Sequence, residues 1–336
     1  MKVLFINHPE GDMLEAVAYL GLCRLYGADD VVDWPRKASY HGETARYPSV
    51  YGPEHGEGVT GPFAWFPAQG GRAWSDDEVR DRAREFDVVV ASIRDHAVAA
   101  LSLLVARVGR GALRRLVLLD GQDSDAIRWD LAVRFRPDVY AKRELLARLP
   151  ADVVRVVPCP FASPLDESAE VAKDIDLADL GAGNFFSGVV ARGAATFRGA
   201  STKAEVDAAL CREFLGRVVV VGHVGYDEFL RATARTRVAA CLGGFGWDTF
   251  RQWEVPSFRG TLLLRNRSPQ IIQYDFVDGE SCAEFSWSLA EMVAVARAYL
   301  DDDARRERVA RAGNALLREH HTCEARARQL VEEALR

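Results

Sequence analysis

Residues 251–264 read RQWEVPSFRGTLLL, an acidic residue set in an apolar, glycine-preceded helix that runs straight into a buried strand. Glu254 is the residue that matters. A carboxylate on a helix at the C-terminal edge of a parallel sheet accepts two hydroxyls of a ribose in bidentate fashion, which few other side chains do. Gly243, Gly244 and Gly246 precede it, so backbone N–H groups at the helix start can approach a phosphate closely, with the helix dipole favouring the anion. Arg251 stands three residues before Glu254 and projects from nearly the same face. The stretch therefore reads as a handle for a nucleotide sugar; the plainer alternative is a surface helix whose glutamate faces water.

Outward from this stretch the chain alternates between strand-like apolar runs and helical patterns, the signature of parallel sheets covered on both faces. Strands are expected at 2–7, 30–34, 86–92, 115–120, 137–141 and 153–158, with helices at 12–26, 76–85, 95–109 and 142–149. After a Pro-containing, polar connector at 158–171, further strands are expected at 174–180, 216–222, 237–242 and 261–265. Capping boxes at Ser75/Glu78, Thr202/Glu205 and Ser288/Glu291 mark helix starts. The fold class is α/β with two Rossmann-like domains, 1–165 and 172–320, and a last helix at 321–336 returning to the first domain. One segment breaks the pattern. Residues 35–74 are rich in Gly, Pro and aromatics, including Tyr47, Tyr51, Phe63, Trp65 and Phe66, and read either as a folded flap near an acceptor site or as a hairpin packed on the side of the domain.

The pattern R-x-[aromatic]-E-[apolar]-P, followed by a glycine and an apolar strand, resembles the donor-site helix of the GT-B glycosyltransferases, especially the spore-maturation CgeB-like group. The resemblance continues through FVDGESCAEF at 276–285 and the closing segment DDDARRERVARAGNALLREHHTCEARARQL at 301–330, about the last 120 residues in all. It implies a GT-B fold, two domains facing across a cleft, and a nucleotide-binding second domain. It also implies that Glu254 holds the donor ribose and that the turn Gly222-His223-Val224-Gly225-Tyr226 holds the base. The commoner form of the helix carries two glutamates eight positions apart; here Gly246 occupies the earlier position, so only the second role is carried over.

Residues at the C-terminal ends of strands are the candidates for chemistry in such a plan. His8, after the first strand, reads as a general base or as a loop histidine capping the next helix. His96 in SIRDHAV falls where retaining members of the resembled family place a histidine against the donor sugar, or is simply a helix N-terminal residue. Asp120, Asp123 and Asp125 in DGQDSD resemble a metal-binding D-x-D motif, but the motif sits midway through the first βα array, so no metal is expected. Asp123 is the candidate acceptor-side base, against a plain Asx-turn and helix cap. Lys142 and Arg143 are either phosphate-directed cations or helix-surface charges. The segment Gly181–Gly188, GAGNFFSG, misses the G-x-G-x-x-G spacing and reads as a glycine-rich turn beside a diphosphate, with Arg192 and Arg198 near it to neutralise the leaving group.

Composition limits the rest. Net charge is −6 over 336 residues, which argues against nucleic acid or an anionic membrane as partner. Only five of 43 basic residues are lysines, a bias with no functional reading. Six scattered cysteines without C-x-x-C spacing read as reduced core residues of a cytoplasmic protein. The longest uncharged apolar run, 97–106, is too short to span a bilayer, and no secretory signal is evident in the opening strand KVLFIN. The expected activity is metal- and cofactor-independent transfer of a sugar, of hexosyl type, from a nucleotide-diphosphate sugar to an unidentified small-molecule, peptide or glycan acceptor. The alternatives are an NDP-sugar epimerase of the same fold, an NAD-dependent oxidoreductase using the Gly181 loop, and a catalytically silent nucleotide-binding partner.

Overall fold

Runs such as VVVAS at 88–92 and LVLLD at 116–120 show no polar alternation, so a strand made from them needs cover on both faces. The computed structural model, which describes residues 1–9, 12–41, 69–149, 153–165, 171–179, 203–220, 226–243, 246–286 and 288–336, supplies that cover in two compact units. Unit 1 comprises Met1–Pro160 and Cys323–Arg336; unit 2 comprises Phe161–Thr322.

In unit 1 the strands β1 (Val3–Ile6), β2 (Val31–Trp34), β3 (Val88–Ser92), β4 (Leu116–Asp120), β5 (Val139–Lys142) and β6 (Arg155–Pro158) form a six-stranded parallel sheet in the order β2-β1-β3-β4-β5-β6. Helices α1 (Met13–Tyr26), α2 (Asp76–Asp81), α3 (Asp95–Val108) and α4 (Trp129–Phe135) connect them. The apolar faces of β1, β3, β4, α3 and α4 close one core through Leu4, Val89, Leu101, Leu118 and Phe135. On α1, Gly21 is required: a Cβ there would lie 2.0 Å from the Cys323 carbonyl oxygen at the start of the last helix.

Unit 2 holds β7 (Ile175–Asp179), β8 (Val218–Val220), β9 (Thr236–Cys241), β10 (Leu262–Asn266) and β11 (Ala283–Phe285), a five-stranded parallel sheet in the order β11-β10-β9-β7-β8. Its helices are α5 (Lys203–Glu213), α6 (Tyr226–Arg235), the single turn α7 (Arg251–Glu254), α8 (Leu289–Leu300) and α9 (Asp303–His320). Helix α10 (Cys323–Leu335) then completes unit 1.

One expectation needs correction. No helix forms at 142–149: Lys142, Arg143 and Glu144 are buried, and the two cations are ion-paired to carboxylates, so they do not line a solvated helix face. The helix of that region is instead α4, whose seven residues are too few for a periodicity signal. The three-residue edge strand β11 was missed for the same reason. Of the segment 35–74, the structure describes 35–41 and 69–74, with a 3-10 turn at Ala38–His41; the five aromatic residues named above lie outside the described residues.

Candidate functional site

In unit 2 the decisive segment follows the C-terminal end of β9. Asp248 accepts hydrogen bonds from Trp253 Nε1 (2.7 Å), Gln252 Nε2 (2.9 Å) and the Phe161 amide (2.7 Å), which ties α7 to the loop that precedes it and to the chain at Phe161. Pro256 has no N–H to continue the ladder, and the chain tightens into a 3-10 turn over Val255–Ser257 before entering β10. The helix is therefore a single turn, shorter than the sequence suggested, and its own dipole contributes little to anion binding.

Glu254 is 2% exposed, so the reading of a water-facing surface helix does not hold for it. Arg251 Nη1 lies 3.9 Å from Glu254 Oε2, and the guanidinium rests over the Phe229 ring at 4.1 Å. Cys241, at the end of β9, is near enough to feel Arg251, Glu254 and Arg265, and burial pushes its thiol up to about 12, leaving it a neutral core group. Behind α7, Trp253 is fully buried against His321 (ring centroids 4.8 Å) and Phe276 (5.8 Å), so the turn has a rigid backing. Gly246 lies at the start of this turn region, and the Gly243 amide donates to Asn266 Oδ1 at the end of β10 (3.0 Å). Arg192, Gly222, Val224, Arg198, Gly244 and the Gly181 loop fall outside the described residues.

In unit 1 the two histidines singled out from the sequence meet. His96 Nδ1 and His8 Nε2 are 3.3 Å apart, with ring centroids at 5.0 Å in an edge-on arrangement. One ring must donate and the other accept, so the contact holds one proton between them. His8 is buried and His96 is on the exposed first turn of α3. Helix α1 is capped by Asp12, which accepts from the Leu14 and Glu15 amides (2.9 and 3.1 Å) and lies 3.4 Å from Arg94 Nε, just ahead of α3. Capping is thus the work of Asp12 and leaves the His8 ring out of it.

The aspartates after β4 divide. Asp120 is fully buried, accepts from Tyr140 Oη (2.5 Å) and the Gln122 amide (3.0 Å), and pairs with Lys142 Nζ at 2.9 Å. Burial lowers the Lys142 pKa, opposed by Asp120. Asp123 is half exposed and ion-paired to Arg143; α4 begins at Trp129 without a side-chain cap, so Asp123 caps no helix. Among the described residues no group of three or more His, Cys, Asp or Glu is gathered to hold a metal ion.

Sequence reasoning missed Glu15 and Lys37. Glu15 Oε2 accepts the His8 amide (3.1 Å) and lies 3.5 Å from Lys37 Nζ, with both side chains buried. A signal was present: Glu15 is the lone charged residue between Met13 and Cys23 in an apolar helix.

The glycosyl transferase-like family profile matches residues 192–332, the stretch that carries Glu254. No match was found among curated protein sequences. The solved structure of the Anabaena protein HepE in complex with UDP is similar over 99% of both chains, with 13% identity and a TM-score of 0.60. The UDP-glucose complex of HepE gives 0.59 at 12% identity over 99% of this chain and 98% of that one. Sucrose-phosphate synthase from Thermosynechococcus elongatus gives 0.53 at 12% identity over 99% and 98%. The two parallel-sheet units therefore have the fold of GT-B glycosyltransferases, and the C-terminal part of the chain is glycosyl transferase-like in sequence. No helix among the described residues is long and apolar enough to cross a membrane.

Proposed function

We propose that this chain is a glycosyltransferase that moves a sugar, of hexosyl type, from a nucleotide-diphosphate sugar to an acceptor without a metal or other cofactor. The observation that carries the reading is Glu254: a buried carboxylate on a rigidly backed turn after β9, inside the segment that matches the glycosyl transferase-like profile. Its oxygens hold the ribose hydroxyls, and Arg251 beside it, with Arg192 and the Gly246 segment, meets the diphosphate. Gly222 and Val224 hold the base. The donor is a UDP-sugar by analogy with the UDP and UDP-glucose complexes of the structurally similar HepE. The R-x-W-E-V-P segment supports reading the chain as CgeB-like within that class.

Transfer needs the departing diphosphate stabilised and a proton taken from the acceptor hydroxyl. Arg251 and Arg192 serve the first need. The His8–His96 pair serves the second, with His8 the base and His96 sharing its proton, while Asp123, held by Arg143, orients the acceptor. A thermal-shift series with UDP-, GDP- and TDP-sugars and NAD tests the donor site, because a ligand that binds only the native state raises Tm. The expected result is stabilisation by a nucleotide sugar that is lost in Glu254→Ala. Stabilisation by NAD alone, or an unchanged response in Glu254→Ala, overturns the assignment.

A further inference from the structure

Behind the histidine pair lies a carboxylate that the proposed transfer leaves unused. Glu15 is 1% exposed. Its Oε2 accepts the His8 amide at 3.1 Å and lies 3.5 Å from Lys37 Nζ, whereas its Oε1, equally shielded from water, has no partner in hydrogen-bonding geometry among the described residues. Asp12, three residues earlier at the start of the same helix, adds a like charge; the Ser92 hydroxyl, at the end of β3, faces Glu15 as well. Lys37 is itself held near Asp33, which also bonds His41, and Asp12 lies beside Arg94. A buried carboxylate next to another carboxylate, with one oxygen unserved, favours its protonated form.

We propose that Glu15 is the proton-holding positioning residue of unit 1: it fixes the His8 main chain and, by gaining or losing its own proton, sets the charge of the His8–His96 pair. The carboxyl is pushed up to about 7, by burial first and by Asp12 next, against Lys37, Ser92 and the His8 amide. Ionised Glu15 favours an imidazolium in the pair; protonated Glu15 withdraws that support, and the pair gives up its shared charge more readily. The arrangement lets unit 1 store a proton beside its base. Its bearing on catalysis rests on the transfer reading; the titration itself does not.

The test is an NMR pH titration of the intact chain, following the imidazole nitrogens of His8 and His96 and the Glu15 carboxyl carbon. The Glu15 carbon is expected to titrate near 7 in the wild type. In Glu15→Gln the midpoint of the histidine pair is expected to fall by roughly half a pH unit or more, as loss of a nearby negative charge disfavours an imidazolium. A Glu15 carbon titrating in the ordinary carboxylate range near 4, which needs no variant, overturns the proposal. So does a histidine midpoint that Glu15→Gln leaves unmoved while circular dichroism shows a folded chain. Thermal shift with the nucleotide-sugar series separates this from the transfer reading. Shifted histidines in a chain that no nucleotide sugar stabilises would leave Glu15 in place and remove the glycosyl transfer.

Discussion

The C-terminal edges of the two sheets are built from different materials. In unit 1, the ends of β1, β3, β4 and β5 and the residues following β2 bring together His8, Asp12, Glu15, Lys37, Arg94, His96, Asp120 and Lys142, most of them buried and paired charge to charge or ring to ring. In unit 2, among the described residues, the edge around Glu254 leans on apolar backing and on hydrogen bonds to one hub, Asp248, with Arg251 alongside the carboxylate and the buried Arg265, near the end of β10, paired to Asp275 and Glu284. Proton traffic needs titratable groups in contact, whereas gripping a neutral ribose needs a fixed acceptor. On the proposed function that contrast would give chemistry to the first edge and recognition to the second, and it teaches that two Rossmann-like units of one plan carry different groups at their described edges.

The largest expected effect comes from breaking the charge balance of the first edge. Lys142 and Asp120 are both fully buried at 2.9 Å, so Lys142→Met strands a buried carboxylate. Removing one partner of such a pair costs roughly 3–5 kcal/mol. Denaturant unfolding followed by hydrogen exchange in unit 1 should show that loss, and the double variant Asp120→Asn/Lys142→Met should regain much of it. If the single variant unfolds like the wild type, the first edge is not held by charge and the contrast fails.

What could be read in the sequence follows the same division. The ten expected strands all form, because long apolar runs bounded by turns report burial on both faces directly. The Glu254 segment was visible because Arg251, Trp253, Glu254 and Pro256 lie within six consecutive residues of one turn. His8 and His96 were each suspected from their places at strand ends, yet 88 positions separate them, and nothing in the linear order says that they touch. Glu15 and Lys37 were missed because an acid inside a helix and a lysine after a strand are ordinary until tertiary packing removes water from both. Helix 142–149 was expected wrongly for the converse reason: its charges looked solvated and were in fact buried.

A smaller effect separates the two cores by their close approaches. A Cβ at Gly21 would stand 2.0 Å from the Cys323 carbonyl oxygen in unit 1, and one at Gly313 would stand 2.3 Å from the Ser281 carbonyl oxygen in unit 2. Both contacts are with backbone, which cannot swing aside. Each of Gly21→Ala and Gly313→Ala should cost about 2–3 kcal/mol through overpacking. Hydrogen exchange should localise the first loss to α1 and α10 and the second to α9 and the segment before β11. Equal loss of protection in both units from either variant would show that the two cores unfold as one, and would blunt the comparison.

The finest test uses pH, because the two units should respond with opposite sign. In unit 1, His41 Nε2 lies 2.9 Å from Asp33 Oδ1 and Nδ1 lies 2.8 Å from the Gln69 carbonyl oxygen. Both partners only accept, so both ring nitrogens carry hydrogens and the ring is an imidazolium. Burial opposes that charge and is outweighed by the Asp33 bond and charge, so the His41 pKa is raised. The stabilisation is full below the ordinary histidine value of about 6.5 and is lost as pH rises through the raised folded value. In unit 2, burial lowers the Lys173 ammonium to about 8 from its ordinary 10.5, while Nζ donates to the Ala234 carbonyl (2.6 Å) and Thr261 Oγ1 (2.7 Å). Between those two values the unfolded chain binds the proton and the folded chain has released it, so stability rises with pH. The stability advantage of wild type over His41→Gln should therefore shrink as pH climbs above 6.5, whereas wild type should gain on Lys173→Met between pH 8 and 10.5. Slopes of one sign for both pairs would show that burial, and not the partner each unit offers, governs both groups.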